Sequence, residues 1–304
     1  MSREKKKIEV CKNLNACCEE LRRLQRLRVV ALRFRIMESN RLLAVVATDL
    51  GYKSGLDEKS RTMKFHEAGE YIDAVVAGKK EGGNMDAIIK VASESIKNHG
   101  FLVESYDASM EALAATLPVA PWIDLEPQRG FNLGGLSQLV GECGNLNSYD
   151  NPGKLWRRLG GAPWTYDGKT FMAGTWRRGK EGSLPKDEWE KYGYSPRRRS
   201  LLFVVGDCLI KANGGVEEGA MTKTGKPRKA RECGPYRQRY DQAKEKYVEG
   251  HPGILDEKGG KVRVHLHGNL CAAKLLTLNL WREWRKLSGL PHNSKWQGEK
   301  PRDY

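Results

Sequence analysis

Apolar side chains recur every third or fourth residue through most of the first 120 positions. Between residues 8 and 47, Leu14, Cys17, Leu21, Leu24, Leu27, Val30, Phe34, Met37, Arg41 and Ala44 trace one side of a helix, and neither Pro nor Gly interrupts the stretch. The spacing predicts one long helix, or two nearly in line, with Gly51 just past the end. Successive steps of three around Leu24–Val30 interrupt a strict heptad. Such a stripe suits either a coiled-coil dimerisation arm or an amphipathic helix lying on the protein's own core. Phe65, Ala68, Ile72, Val75 and Val76 predict a second helix over 61–77, and GKKEGG at 78–83 breaks it. Third and fourth helices are expected over 87–98 and 103–117, the last capped within Ser105-Tyr106-Asp107.

The Pro-punctuated run LPVAPWIDLEP, 117–127, marks a boundary, and the pattern shortens after it. Short helices are predicted over 133–142 and 154–159, with a turn at 147–151 between them. Residues 160–195, rich in Gly, Trp, Lys and Arg, read as loop or short hairpin. A helix over 197–211 should bury Leu201, Leu202, Val204, Val205 and Leu209. A mobile basic loop over 212–232, a charged helix over 235–249, a loop at 251–261 and a closing helix over 264–287 complete the pattern. The expected fold is mainly α. A long helical linker or oligomerisation region, coiled coil or not, fills 1–120. A helical nucleic-acid-binding domain with long basic loops fills 121–290, and a flexible tail follows at 291–304.

Charge sharpens this division. Residues 1–150 carry 21 Lys+Arg and 21 Asp+Glu, whereas residues 151–304 carry 32 and 17, so the whole formal charge of +15 falls in the second half. Asymmetry of this kind points to a polyanion as partner of that half. No apolar run approaches membrane-span length, and the basic start MSREKKKIEV lacks the apolar segment of a secretory signal. Seven cysteines at irregular spacing do not form a disulfide framework, and a reducing cytoplasm is the simplest expectation.

Candidate chemistry clusters beyond residue 129. Gly130-Phe131-Asn132-Leu133 followed by an apolar helix fits a tight turn whose amides, at a helix N-terminus, can meet phosphate. Lys154, Arg157 and Arg158 place cations on the next short helix. Trp164, Tyr166, Phe171 and Trp176 alternate with Lys169, Arg177, Arg178 and Lys180, a combination that can stack on bases and neutralise phosphates. Trp156 and Trp164 fit a small core equally well. Arg197, Arg198 and Arg199 open a helix, where they suit phosphate contact or a solvated face. His265, His267 and Cys271 share one helix, but two rings two residues apart diverge, so a structural role is expected and no metal site.

Four blocks resemble the insertion-sequence 110 family of transposases, in that family's order and over roughly residues 125–290. They are GFNLGGLSQLVGECGNLNSYDNPGKLWRRLGGAP (130–163), GYSPRRRSLLFVVGDCLIK (193–211), GPYRQRYDQAKEKY (234–247) and VHLHGNLCAAKLLTLNLWREWRKL (264–287). The resemblance implies a helix-hairpin-helix-containing DNA-binding domain, oligomeric, acting in DNA transposition and recombination, with a structured RNA as guide. It also implies two catalytic devices that this chain lacks at the expected places. The family's magnesium sits in a separate acidic domain; Glu19, Glu20, Glu38 and Asp49 lie on or at the end of a helix and do not form such a cluster, so no cofactor is expected. The family's nucleophilic Ser-Gly pair aligns with Ala173-Gly174, leaving Thr175 as the candidate hydroxyl and Ser183 farther off. Three readings stay open: a silent transposase-derived DNA-binding protein, a divergent active recombinase, and a non-enzymatic helical protein that binds RNA or DNA for a mobile element or phage.

Overall fold

The computed structural model describes residues 11–80, 83–166, 169–171, 195–217, 219–221 and 229–292. It is mainly helical. The helices are α1 (Leu14–Asp49), α2 (Glu58–Val76), α3 (Asp86–Ala115), α4 (Ala120–Ile123), α5 (Leu133–Cys143), α6 (Pro152–Arg158), α7 (Pro196–Ala212), α8 (Pro235–Gly250) and α9 (Gly260–Leu287). A two-stranded antiparallel hairpin, β1 (Trp164–Tyr166) and β2 (Lys169–Phe171), follows α6, with Trp164 opposite Phe171. The chain divides into two compact units, one of residues 23–110 and one of residues 1–22 with 111–304. The sequence boundary expected near residue 120 therefore falls within the second unit, where α4 and a 3-10 turn at Glu126–Gln128 occupy the Pro-rich run.

In the unit of residues 23–110, the core joins Leu42, Val46 and Ala47 of α1 to Ala68 and Val75 of α2 and Ile89 of α3. Phe65, Ile72 and Ile96 cover it, and Tyr52 meets Phe65 edge to face at 5.2 Å. Asp57 caps α2, its side chain accepting from the amides of Lys59 and Ser60. The stripe read from the sequence is only partly the packing face of α1. Leu24, Ala31, Leu42 and Val46 are buried, while Leu27, Val30, Phe34, Met37 and Arg41 are exposed. The third and fourth helices are in fact one. Asn98-His99-Gly100 is helical, with only Arg35 near a Cβ at Gly100, at 3.8 Å. One interior Gly costs about 1 kcal/mol, too little to break a helix held by packing along its length. Asp107 is no cap: it forms a 2.5 Å ion pair with Arg28.

The other unit is built on α9, whose Val264, Ala273, Leu276, Leu280, Trp281 and Trp284 are buried against α6, α7, α8 and the 3-10 turn Leu146–Ser148. Glycines let these helices approach. A Cβ at Gly206 of α7 would stand 3.0 Å from the backbone oxygen of Asn269 on α9, and closer still to its side chain. The buried indoles are satisfied: Trp156 donates to Thr277 Oγ1 (2.9 Å), Trp281 to the Tyr149 carbonyl (2.8 Å) and Trp284 to Asn145 Oδ1 (3.0 Å). Helix α7 buries Leu202, Val205, Leu209 and Ile210; Val204, expected inside, is 59% exposed, because the buried face recurs at three- and four-residue steps that skip it. Helix α9 begins at Gly260, four residues before its expected start. The basic segment after α7 is closed at its base by an antiparallel bridge of Val216 with Arg231. At the other end of the chain, Cys11 and Cys17 are joined by a disulfide, a single local bridge beside five free cysteines among the described residues.

Candidate nucleic-acid interface

The turn before α5 has the geometry its sequence suggests. Gly130 adopts φ +94°, and a Cβ there would come within 2.6 Å of the Cys208 carbonyl oxygen and 2.7 Å of Ala212 Cβ on α7. Asn132 caps α5, its Oδ1 accepting from the Gly135 amide at 2.9 Å. Gly130 thus serves a close approach of the turn to α7, and Asn132 satisfies one of the free amides itself. A carboxylate also borders the first turn: a Cβ at Gly134 would lie 2.7 Å from Glu111 Oε1. A phosphate arriving at this helix end would have to displace or tolerate Glu111.

Helix α6 starts at the Asn151 cap and Pro152 and ends in Arg157 and Arg158. Lys154 and Arg157 are exposed; Lys154 pairs with Asp150 one turn back. Arg158 is half-buried and acts electrostatically on Arg198, Cys143 and Tyr149.

The arginine triplet at the start of α7 is engaged inside the protein. Arg197 and Arg198 converge on Glu142 of α5, a carboxylate with 2% of its side chain exposed. Arg197 Nη2 donates to Oε2 at 2.9 Å, and Arg198 Nε donates to the same oxygen at 3.3 Å. Arg197 Nε lies 2.8 Å from Oε1 without the alignment of a hydrogen bond. Burial lowers the Arg198 pKa, with Arg158 adding to the effect. Arg199 turns the other way, donating to the Gly160 carbonyl at 2.7 Å and lying over the Phe203 ring at 4.8 Å. Two guanidinium groups on one buried carboxylate leave a local excess of one positive charge, and Arg197 keeps 40% of its side chain exposed. The triplet therefore locks α7 to α5 and still presents a positive edge. Neighbouring Cys143 is pushed up to about 12 by burial, which makes it a poor nucleophile at neutral pH, and Tyr149 is also raised by burial while its hydroxyl donates to the Cys143 carbonyl at 2.8 Å. Glu142 had no place among the residues read from the sequence. Its signal was the lone charged residue in the helix LGGLSQLVGEC.

The histidines of α9 diverge as their spacing requires. His265 Nδ1 meets the Tyr240 hydroxyl at 2.8 Å, whereas His267 faces Cys271, with Nε2 to Sγ 3.7 Å. Tyr247 of α8 is sandwiched between His251 (ring centroids 4.2 Å) and His267 (4.5 Å). Burial lowers the His267 pKa, helped by Lys274, His251 and Arg239. Among the described residues, no group of three or more His, Cys, Asp or Glu side chains is placed to hold a metal ion. Nor is any helix among them long and apolar enough to cross a membrane.

Of the basic-aromatic segment, Lys169 lies in β2 opposite Tyr166. Thr175, Trp176, Arg177, Arg178 and Lys180 lie outside the described residues, as does Ser183. Comparison with protein-family models, with curated proteins and with solved structures returns no match to this chain.

Proposed function

We propose that this chain is a nucleic-acid-binding protein of the transposase type, engaging DNA through residues 121–290. The observation that carries the reading is the concentration of the entire +15 excess in residues 151–304. Such a charge surplus attracts a polyanion by counterion release. The exposed Lys154 and Arg157 and the half-exposed Arg197 give that surplus a place on the described surface. The family resemblance adds DNA transposition or recombination as the setting and a structured RNA as guide. For catalysis the candidate hydroxyl in this reading is Thr175, and a catalytically silent chain is its alternative.

The test is binding of a 30-base-pair duplex and a single strand across a salt series, with Mg2+ and co-purified RNA present or removed by nuclease. The expected result is an affinity that falls linearly in log–log form with salt, with a slope of several units. No retention of either nucleic acid at low salt overturns the reading. A covalent protein–DNA adduct on a denaturing gel that disappears in Thr175→Ala makes the chain an active recombinase. Salt-dependent binding without an adduct makes it a binding protein only.

A second reading, a non-enzymatic oligomerisation protein that binds nucleic acid, is favoured by one observation. Leu27, Val30, Phe34 and Met37 step by three, four and three along α1 and are all exposed. That is the seam spacing of a helix awaiting a partner helix. Phe34→Asp is then expected to shift the mass measured by light scattering to that of a smaller species.

A further inference from the structure

Three helices of the second unit, α7, α8 and α9, bring basic side chains together, and among the described residues no acid acts on them. On α9, His267, Cys271 and Lys274 follow one another at helical steps and share a face. Lys274 Nζ stands 5.4 Å over the Trp156 ring of α6. The groups that act on its charge are Cys271, Arg199 of α7 and Arg239 of α8. Those that act on His267 are Lys274, His251 and Arg239, and those on Cys271 are Arg239 and Lys274. Among the described residues, neither Lys274 nor Arg239 forms an ion pair with a carboxylate, although elsewhere in the unit cations meet acids readily, as in Arg237–Asp241 and Arg263–Glu257. Lys274, Arg239 and His267 are half-buried, so they retain access to solvent while losing part of their hydration.

Like charges gathered at partial burial oppose folding unless something offsets them. In Lys274 the offset within the protein is a ring face, worth about 0.5–2 kcal/mol. A bound anion would satisfy two or three of these donors at once. An Arg and a Lys presented together suit the tetrahedral oxygens of a phosphate. Beside the cluster, the His251–Tyr247–His267 ring stack ends on the exposed His251, whose outer face can take a further flat ring.

We propose that Lys274, Arg239 and His267 form a phosphate-binding pocket that takes a phosphodiester group of a nucleic-acid strand. This rests on the nucleic-acid reading above and gives it a specific contact that the turn at Gly130 and the triplet at Arg197–Arg199 do not supply.

The test uses the full chain, Lys274→Met and the pair Lys274→Met/Arg239→Gln, with two probes. The first is pyrophosphate, followed by thermal melting against sodium chloride at matched ionic strength. The second is a labelled dT20 strand in a salt series. The expected result is a melting temperature raised by pyrophosphate in the parent and not in Lys274→Met, together with dT20 binding weakened roughly tenfold in the pair and a salt slope reduced by about one unit. Lys274→Met removes a charge and keeps the chain length, so its own melting curve reports whether the fold survives. The pair Lys154→Gln/Arg157→Gln is the control, expected to weaken dT20 and leave the pyrophosphate effect intact. Pyrophosphate stabilisation with dT20 binding unchanged by the variants, or with no dT20 binding at all, overturns the strand as ligand and assigns the pocket to a free phosphate compound. In the latter case the nucleic-acid reading falls as well. No response to pyrophosphate beyond that of salt, with dT20 bound equally by parent and pair, overturns the pocket and leaves the nucleic-acid reading standing.

Discussion

Residues 23–110 are held by aliphatic and small side chains at helical spacing, and they leave Val30, Phe34, Val91 and Phe101 exposed. The unit of residues 1–22 and 111–304 instead buries Trp281 and Trp284 with bonded indoles, a carboxylate under two guanidinium groups, and glycines at helix crossings. In the first unit an apolar residue of similar size can replace another with modest loss. In the second, a side chain is tied to a particular partner atom, so removing one strands the other.

The comparison breaks most sharply at Glu142. Glu142→Ala leaves Arg197 and Arg198 facing an apolar hole, and a loss of about 3–5 kcal/mol in urea unfolding is expected. A loss below about 1 kcal/mol would mean that the two guanidinium groups find solvent on their own. Next come two identical substitutions of opposite sign. Gly206→Ala drives a methyl group into Asn269 and should destabilise by about 1–3 kcal/mol. Gly69→Ala, within α2 of the other unit, meets only Leu43 Cδ1 at 4.0 Å and should stabilise by about 0.5–1 kcal/mol. Equal signs in the two melts would erase the distinction between the units. The smallest expected effect is of pH. Since burial holds the His267 pKa below its ordinary 6.5, the unfolded chain takes up that proton first as pH falls. Stability should therefore decline slightly below about pH 6.5 and be fully present above it, and His267→Gln should flatten that part of the profile.

Most helices were legible in the sequence because burial imposes a period. Helices α2, α5, α6, α7 and α8 lie within a few residues of their expected places. Errors arose where a local signal met a stronger tertiary one. Separate helices ending at 98 and starting at 103, the latter capped within Ser105–Asp107, were expected, but packing along α3 carries one helix through both places, and Asp107 is committed to Arg28. On α1 an apolar stripe was visible and left open between a dimerisation seam and a core face, because periodicity does not say which part of a stripe a neighbour will cover; Leu21 and Leu24 are buried and Leu27, Val30, Phe34 and Met37 are exposed. The candidate site was less legible. Arg197–Arg199 stood out as a charge run, while the acid that holds two of them lies 55 residues earlier in the chain. Neither Lys274 nor Arg239 was singled out from the sequence, and it is the packing of α8 on α9 that brings them near each other.

The bridge between Val216 and Arg231 has an evolutionary consequence. The Arg231 guanidinium also donates to the carbonyls of Ala212 and Gly214, so the strands entering and leaving this segment are stapled at the end of α7. Val216 and Arg231 thus meet although they are 15 positions apart in the chain. Adding residues between two positions held together in this way costs only a logarithmic closure penalty. Lineages can thus experiment with new residues between these two positions, and an engineer can graft a peptide there, while α8 still starts from the same anchor.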